Sequence, residues 1–374
     1  MKVLEINSND LIHNIKMVKR LAQDKEEQIK CEIIGVVKGN GYGFGLVEFT
    51  RFLSDQGIKM FAVATVDEAI ELRKAGITEE ILMLSSTSCE EDVKLLIENN
   101  ITLSIGSKEA AEVAEKLADK KINVHIKIDT GFGRYGFLYN DIATLVEVIK
   151  SFDKLQIVGC FSHFSDAYSP KPKWTSLQFD RFLSVVENLK LNNIEPGMLH
   201  ICNSSAFFKY PYMILNAVRI GSAFTGRLSI PNRYGLKRVG KFKASISEIK
   251  TLPKGHNVGY SNTCKIKRKT RVAIVPVGYM DGIHMDIKDD TFRVSDHMRH
   301  IFHNIKAMKR PPKLMVTIKD KQYKTLGMIG MYHIVVDIGN DNISVGEIVE
   351  IDAKPLFINN KIRREYSKWI FLKK

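Results

Sequence analysis

A chain of 374 residues exceeds the usual size of one domain and predicts one large and one medium domain. Its hydrophobic fraction of 44% supports a sizeable globular core, and no apolar stretch approaches the length of a membrane span. The net charge of +14 could suit nucleic acid, an anionic membrane or small anions, but the basic residues are spread. They are densest at 265–271 and 306–313, without a repeating basic helix or interleaved aromatics, so neither nucleic acid nor a membrane is expected as a partner.

In chain order, MKVLEINSNDLIHNIK turns polar within six residues and lacks the apolar segment of a signal peptide. From residue 32 to about 221, short apolar β-rich runs alternate with helical stretches. Strands are expected over 32–38, 60–65, 80–86, 101–105, 123–129, 155–163, 198–203 and 216–221. Thr65, with Glu68 three residues on, predicts a capping box opening a helix that Gly76 closes. Ser107 precedes a helix carrying Ala110, Val113 and Leu117, and Phe179, Phe182, Val186 and Leu189 recur at helical spacing. Several strands are apolar at consecutive positions, as strands buried on both faces are. Eight strands with crossover helices predict an α/β fold, an N-terminal (β/α)₈ TIM barrel, with a doubly wound sheet as the alternative.

After residue 235 the texture changes to strands joined by polar turns, over 243–249, 264–277, 314–318, 326–336 and 343–351. The expected division is a barrel over 1–234 and a C-terminal mostly-β domain over 235–374. Residues 284–312 read as an irregular, basic, methionine-containing insertion. The five cysteines (Cys31, Cys89, Cys160, Cys202, Cys264) are odd in number and never spaced as CxxC, which predicts reduced thiols, a cytoplasmic location and no metal centre.

Active sites of such barrels sit at the C-terminal ends of the strands. The unusual polar residues fall there: Lys38, then Lys127 and Asp129 before the glycine-rich turn containing Arg134, then His163, Asn203 with Ser204, and Arg219 with Gly221 and Ser222. A strand-end histidine or arginine is more often structural than catalytic, but five such strand ends point to a site. The stretch GVVKGNGYGFGL raises a phosphate cradle, a dinucleotide fingerprint or a reactive lysine. Gly39, Gly41, Gly43 and Gly45 do not make GxGxxG, and no GxxxxGK[ST] occurs here, which leaves lysine chemistry. A lysine amine forms an imine with an aldehyde cofactor where the site favours its neutral form. Backbone N–H groups at Gly221 and Ser222, and the Ser204 hydroxyl, could serve a cofactor phosphate.

The segments VVKGNGYGFG, VHIKIDTGFGRYGF, FSHFSDAY, HICNSSAFF, NAVRIGSAFTGR, GHNVGYSNTCKI, IVPVGYMDG and ISVGEIVEID resemble, in order, the landmarks of the alanine racemase family. The resemblance covers nearly the whole chain. It implies a homodimer with composite active sites, pyridoxal 5'-phosphate as cofactor and a small amino acid as substrate. On it, Lys38 is the lysine linked to the cofactor and one of two bases. Tyr42, Ser204, Gly221, Ser222 and Tyr366 hold the phosphate, His163 lies beside the ring, and Arg219 meets the ring nitrogen. Arg134 orients the substrate carboxylate, Met331 offers it a backbone N–H across the dimer, and Lys127 resembles a position that is often carbamylated. Tyr260 matches the second base, supplied by the partner subunit. The implied activity is interconversion of L- and D-alanine for cell-wall peptidoglycan.

Three departures surround the substrate entrance. Gly330-Met331-Tyr332 lacks the family's usual acidic residue, Ile220 stands for a proline, and Thr225 for a tyrosine. They leave open a racemase of serine or a larger amino acid. A barrel decarboxylase lacks the Tyr260 context and the ring-nitrogen arginine, and a noncatalytic pyridoxal-phosphate carrier needs no second base.

Overall fold

Consecutive apolar residues in short runs build strands buried on both faces, and eight of these order the larger unit. The computed structural model describes residues 1–23, 31–285, 294–309 and 314–367. The chain divides into two units, Ser8–Val239 and Met1–Asn7 with Gly240–Lys374. The first strand, β1 (Lys2–Asn7), belongs to the second of these.

The Ser8–Val239 unit contains β2 (Glu32–Val36), β3 (Met60–Val63), β4 (Glu80–Met83), β5 (Leu103–Ile105), β6 (Ile122–Asp129), the two-residue β7 (Phe137–Leu138), β8 (Leu155–Phe161), β9 (Met198–His200) and β10 (Ala217–Ile220). Eight of them run parallel in the order β4-β3-β2-β10-β9-β8-β6-β5, with β7 beside β6. A parallel bridge between Leu82 and Thr102 joins the two ends of that path. Closure into an eight-stranded barrel excludes the doubly wound alternative, which has two free edges. Alternate residues of four adjacent strands, Ile34, Val36, Met60, Ala62, Leu82 and Ala217, form one buried cluster.

The helices begin where the sequence signals them. Ser107 accepts a hydrogen bond from Ala110 N and opens Lys108–Leu117. Gly76, at φ 83°, follows the helix Val66–Lys74. Phe182, Val186 and Leu189 are buried along Lys173–Leu191.

The second unit continues with β11 (Lys241–Ser245), β12 (Glu248–Leu252), β13 (Asn257–Val258), β14 (Cys264–Lys265), β15 (Thr270–Val275), β16 (Met315–Ile318), β17 (Lys321–Leu326), β18 (Ile334–Asp337), β19 (Ile348–Ile351) and β20 (Arg363–Ser367). A nine-stranded sheet has the order β12-β15-β18-β17-β16-β19-β11-β1-β20, and β13 pairs with β14. Phe242, Val275, Val316, Val336 and Val349 lie in its core.

Two expectations are corrected here. The first seven residues do not begin the barrel domain: β1 pairs antiparallel with β11 and parallel with β20, and Lys2 Nζ lies 2.9 Å from both carboxylate oxygens of Asp281. Partners more than 230 residues away leave no local signal. The 284–312 segment is not wholly irregular either: it contains the helix Val294–Lys309, whose apolar residues have helical spacing among histidines and cations. Residues 286–293 and 310–312 lie outside the described residues. No helix among the described residues is long and apolar enough to cross a membrane.

Candidate active site

Lys38 follows the end of β2, as anticipated, but the chain then turns with an unusual hand. Gly39, Asn40 and Gly41 have φ of 66°, 53° and 62°, and Tyr42 has 55°. Gly41 N bonds Val37 O and Gly43 N bonds Gly39 O, so Gly39–Gly43 is a left-handed helical turn directly after Lys38. L-residues pay about 1–2 kcal/mol each for this conformation and glycine does not, which explains glycine at alternate positions. Glu68 holds the turn from outside. Its carboxylate accepts from Gly39 N at 2.6 Å, Asn40 N at 3.4 Å and Ala64 N at 3.2 Å. Half of the expected capping box is therefore corrected: Thr65 Oγ1 accepts from Glu68 N, but the Glu68 side chain serves the lysine turn. The sequence marked Glu68 only as a helix cap.

The turn lays Tyr42 over β10. A Cβ added to Gly221 would lie 2.5 Å from the Tyr42 hydroxyl and 2.4 Å from its ring, so no larger residue fits there without displacing Tyr42. Gly221 N and Ala223 N donate to Ser204 Oγ at 3.2 and 3.4 Å. The serine oxygen is used as an acceptor, which leaves its own proton available for donation. Ser222 follows directly, its carbonyl accepting from Thr225 Oγ1. Desolvation, and secondarily Glu68, pushes the Tyr42 hydroxyl up to about 12, which keeps it a protonated donor near neutrality.

Arg219 is buried at the centre. It donates to the carbonyls of Ser162, His200 and Ile201 and meets His200 Nδ1 at 2.6 Å and His163 Nδ1 at 3.1 Å. Among the described residues no carboxylate pairs with it. Arginine only donates, so both Nδ1 atoms accept and both imidazoles carry their proton on Nε2. His200 Nε2 then donates to His125 Nδ1 at 2.9 Å, which places the His125 proton on Nε2 as well. Burial first, and Arg219 second, holds His163 and His200 well below the ordinary histidine value and His125 at about 4. All three are neutral at pH 7. Phe161 stacks on His200 at 4.9 Å and 5°, and Gly159 leaves room for the His125 ring, which an added Cβ would meet at 2.3 Å. His125 and His200 both lie within landmark segments that give neither of them a role, although His125, Lys127 and Asp129 alternate along one face of a buried strand.

Lys127 Nζ donates to Leu84 O at 2.5 Å and lies 4.9 Å from the Phe161 ring centroid. Burial, then Arg219, Arg134 and Lys38, lowers its amine to about 7 from 10.5, while Asp129 opposes this. The folded value lies below the unfolded one, so between about 7 and 10.5 the unfolded chain binds the extra proton. Stability therefore gains from rising pH across that window. Lys127→Met is expected to remove this part of the slope when urea midpoints of the apoprotein are compared from pH 7 to pH 10, a range inside that window. Equal slopes would remove Lys127 as its source. Lys38 is shifted in the same direction, by burial first and then by Arg134 and Arg219, against Glu68.

Asp129 accepts from the N–H groups of Gly131, Phe132 and Gly133, shaping the loop that carries Arg134. Arg134 lies over the Phe132 ring at 4.3 Å, and Phe132 meets His163 edge-on at 5.5 Å. Beside it, Ser86, Thr87, Ser107 and Arg134 line a cavity of about 270 Å³. The barrel unit thus brings together Lys38, Tyr42, Lys127, Arg134, His163, Ser204, Arg219, Gly221 and Ser222. Ile220 and Thr225, the departures near Arg219, are both buried.

Tyr260, Met331 and Tyr366 belong to the other unit. Tyr260 is 69% exposed at a tip where Gly259, Ser261 and Asn262 have φ of 75°, 60° and 51°. The backbone carbonyls of Gly330 and Met331 accept from Tyr279 N and Met280 N. A Cβ on Gly278 would lie 2.1 Å from Gly330 O, so that glycine permits the close approach. Tyr366 lies in β20 opposite Ile6.

The model of the alanine racemase N-terminal domain matches residues 6–229, and that of the C-terminal domain matches 239–360. The chain belongs to the alanine racemase family. It is 29% identical to an alanine racemase of Methanococcus maripaludis over 94% of this chain and 88% of that one. It is 36% identical to one of Carboxydothermus hydrogenoformans over 74% of this chain and 75% of that protein. Among solved alanine racemases, that of Clostridium difficile 630 superposes with a TM-score of 0.84 at 27% identity, covering 96% of this chain and 94% of that one. That of E. faecalis superposes at 0.82 and 26%, covering 98% of each.

Proposed function

We propose that this alanine racemase family member interconverts L- and D-alanine with pyridoxal 5'-phosphate bound at the mouth of its barrel. The observation that carries the reading is the pairing of Lys38, whose amine is held toward its neutral form, with Arg219, a buried cation without a carboxylate partner among the described residues. The residues fit the cofactor: Gly221 and Tyr42 close against each other where a side chain would intrude, and Tyr42 and Ser204 retain hydroxyl protons for a phosphate. When bound, pyridoxal phosphate supplies an electron sink for the substrate α-carbon.

The protein's own groups set what that sink does. A permanent charge at Arg219 would oppose protonation of a ring nitrogen placed against it, whereas a carboxylate would favour it, and so would limit side reactions such as transamination. His163 lies beside the ring in this reading, Ser222 and Tyr366 add to the phosphate site, and Arg134 with the Met331 N–H orients the substrate carboxylate. Lys38 Nζ moves the α-proton on one face. The Tyr260 hydroxyl moves it on the other, because inversion requires two bases. Its exposure on a strained tip supports a role outside its own unit, and we assign it to the barrel of a partner copy in a homodimer. Lys127, a lysine of lowered basicity, is suited to carbamylation. A cytoplasmic location and D-alanine supply for peptidoglycan complete the reading.

The test is α-proton exchange in deuterated water, followed by NMR, with a panel of L-amino acids. Fastest exchange with alanine, accompanied by loss of optical rotation, is expected, and Tyr260→Phe should retain exchange from one enantiomer only. Preference for serine or a larger amino acid would move the substrate and keep the chemistry, and would point to Tyr332 and its neighbours. No exchange with any substrate would reduce the protein to a carrier.

A further inference from the structure

The helix Val294–Lys309 carries a feature that racemisation does not use. Val294, Met298, Ile301, Phe302 and Ile305 are 78, 49, 51, 67 and 50% exposed. Successive helical residues turn by about 100°, so these five fall in one stripe about 100° wide. Scattered exposed apolar residues are ordinary, but five along one stripe mark an interaction surface. Arg299 and Lys306, both exposed, sit just beyond Phe302 around the axis, on one flank of the stripe. Over 294–309 the sequence has Arg299, Lys306 and Lys309 against a single acid, Asp296, with His297, His300 and His303 as well.

We propose that this helix docks the protein on an anionic lipid surface. The apolar stripe would enter the boundary between headgroups and acyl chains, while the long stems of Arg299 and Lys306 reach back to the headgroup charge. Sixteen residues with this many polar side chains lie in an interface rather than span it. Charge decides between a lipid surface and a second copy of the chain. Packing the stripe antiparallel on its own image would set the Arg299 and Lys306 flanks against each other, whereas an anionic surface attracts both that flank and the basic protein as a whole.

The test is co-sedimentation of the full-length holoenzyme with vesicles of phosphatidylcholine alone or mixed with phosphatidylglycerol. Binding is expected on the mixed vesicles only, weakening as salt rises. The double variant Ile301→Ser with Phe302→Ser should bind them at least about tenfold more weakly, with unchanged circular dichroism. Lys306→Glu should also lower binding. Wild-type binding to neither vesicle overturns the proposal, as does equal binding by the double variant, which would assign attraction to the general basic surface. A lipid-free association in sedimentation velocity that the double variant abolishes would overturn it in favour of a second copy on the stripe.

Discussion

Lys38→Ala is expected to abolish the visible absorbance that pyridoxal phosphate gains on linking to a lysine and to lower kcat/KM for alanine about a thousandfold or more. Two roles disappear together in that variant, the attachment point and one base. The amine is suited to both because burial, reinforced by Arg134 and Arg219, disfavours its charged form. Fold should be retained, since the left-handed turn is held by backbone bonds and by Glu68 rather than by the lysine side chain. Circular dichroism of the variant checks that separation. Full racemisation by Lys38→Ala would remove the assignment.

Arg219→Met is expected to act on stability as strongly as on chemistry. It removes the Arg219 donor from the carbonyls of Ser162 and Ile201 and from the Nδ1 atoms of His163 and His200, while His200 O keeps its bond from Ser162 N. Unpaired buried acceptors each cost about 1–3 kcal/mol, while relief from burying a cation offsets part of the sum. A net loss of about 3 kcal/mol, or roughly 10 °C in Tm for a unit of this size, is expected in thermal unfolding of the apoprotein. The protons of His200 and His125 also lose the group that fixes them on Nε2, so their ¹⁵N imidazole resonances should show mixed tautomers. An unchanged Tm with unchanged tautomers would mean that Arg219 does not organise this network.

Much of the barrel was written locally. Consecutive apolar residues announced strands buried on both faces, and Ser107 marked a helix start confirmed by its bond to Ala110 N. Chain order alone placed Lys38, Lys127, His163, Ser204 and Arg219 after or near the ends of strands. The β-rich unit was less legible because its strands are short and interrupted. The run 243–249 divides between β11 and β12, and β20 was not anticipated. Glu68 was visible as a helix cap, but nothing nearby in sequence shows that its carboxylate reaches back 29 residues to Gly39.

The sequence by itself determined the alternation of elements, the lysine and its glycines, and the order of family landmarks, because these depend on residue type and short-range spacing. Only the tertiary structure decided that β1 belongs with strands more than 230 residues away, that Gly221 is required by the Tyr42 ring, and that Arg219 fixes a chain of neutral histidines. Those features arise from steric contact, desolvation and hydrogen-bond direction between distant segments, which local sequence does not encode.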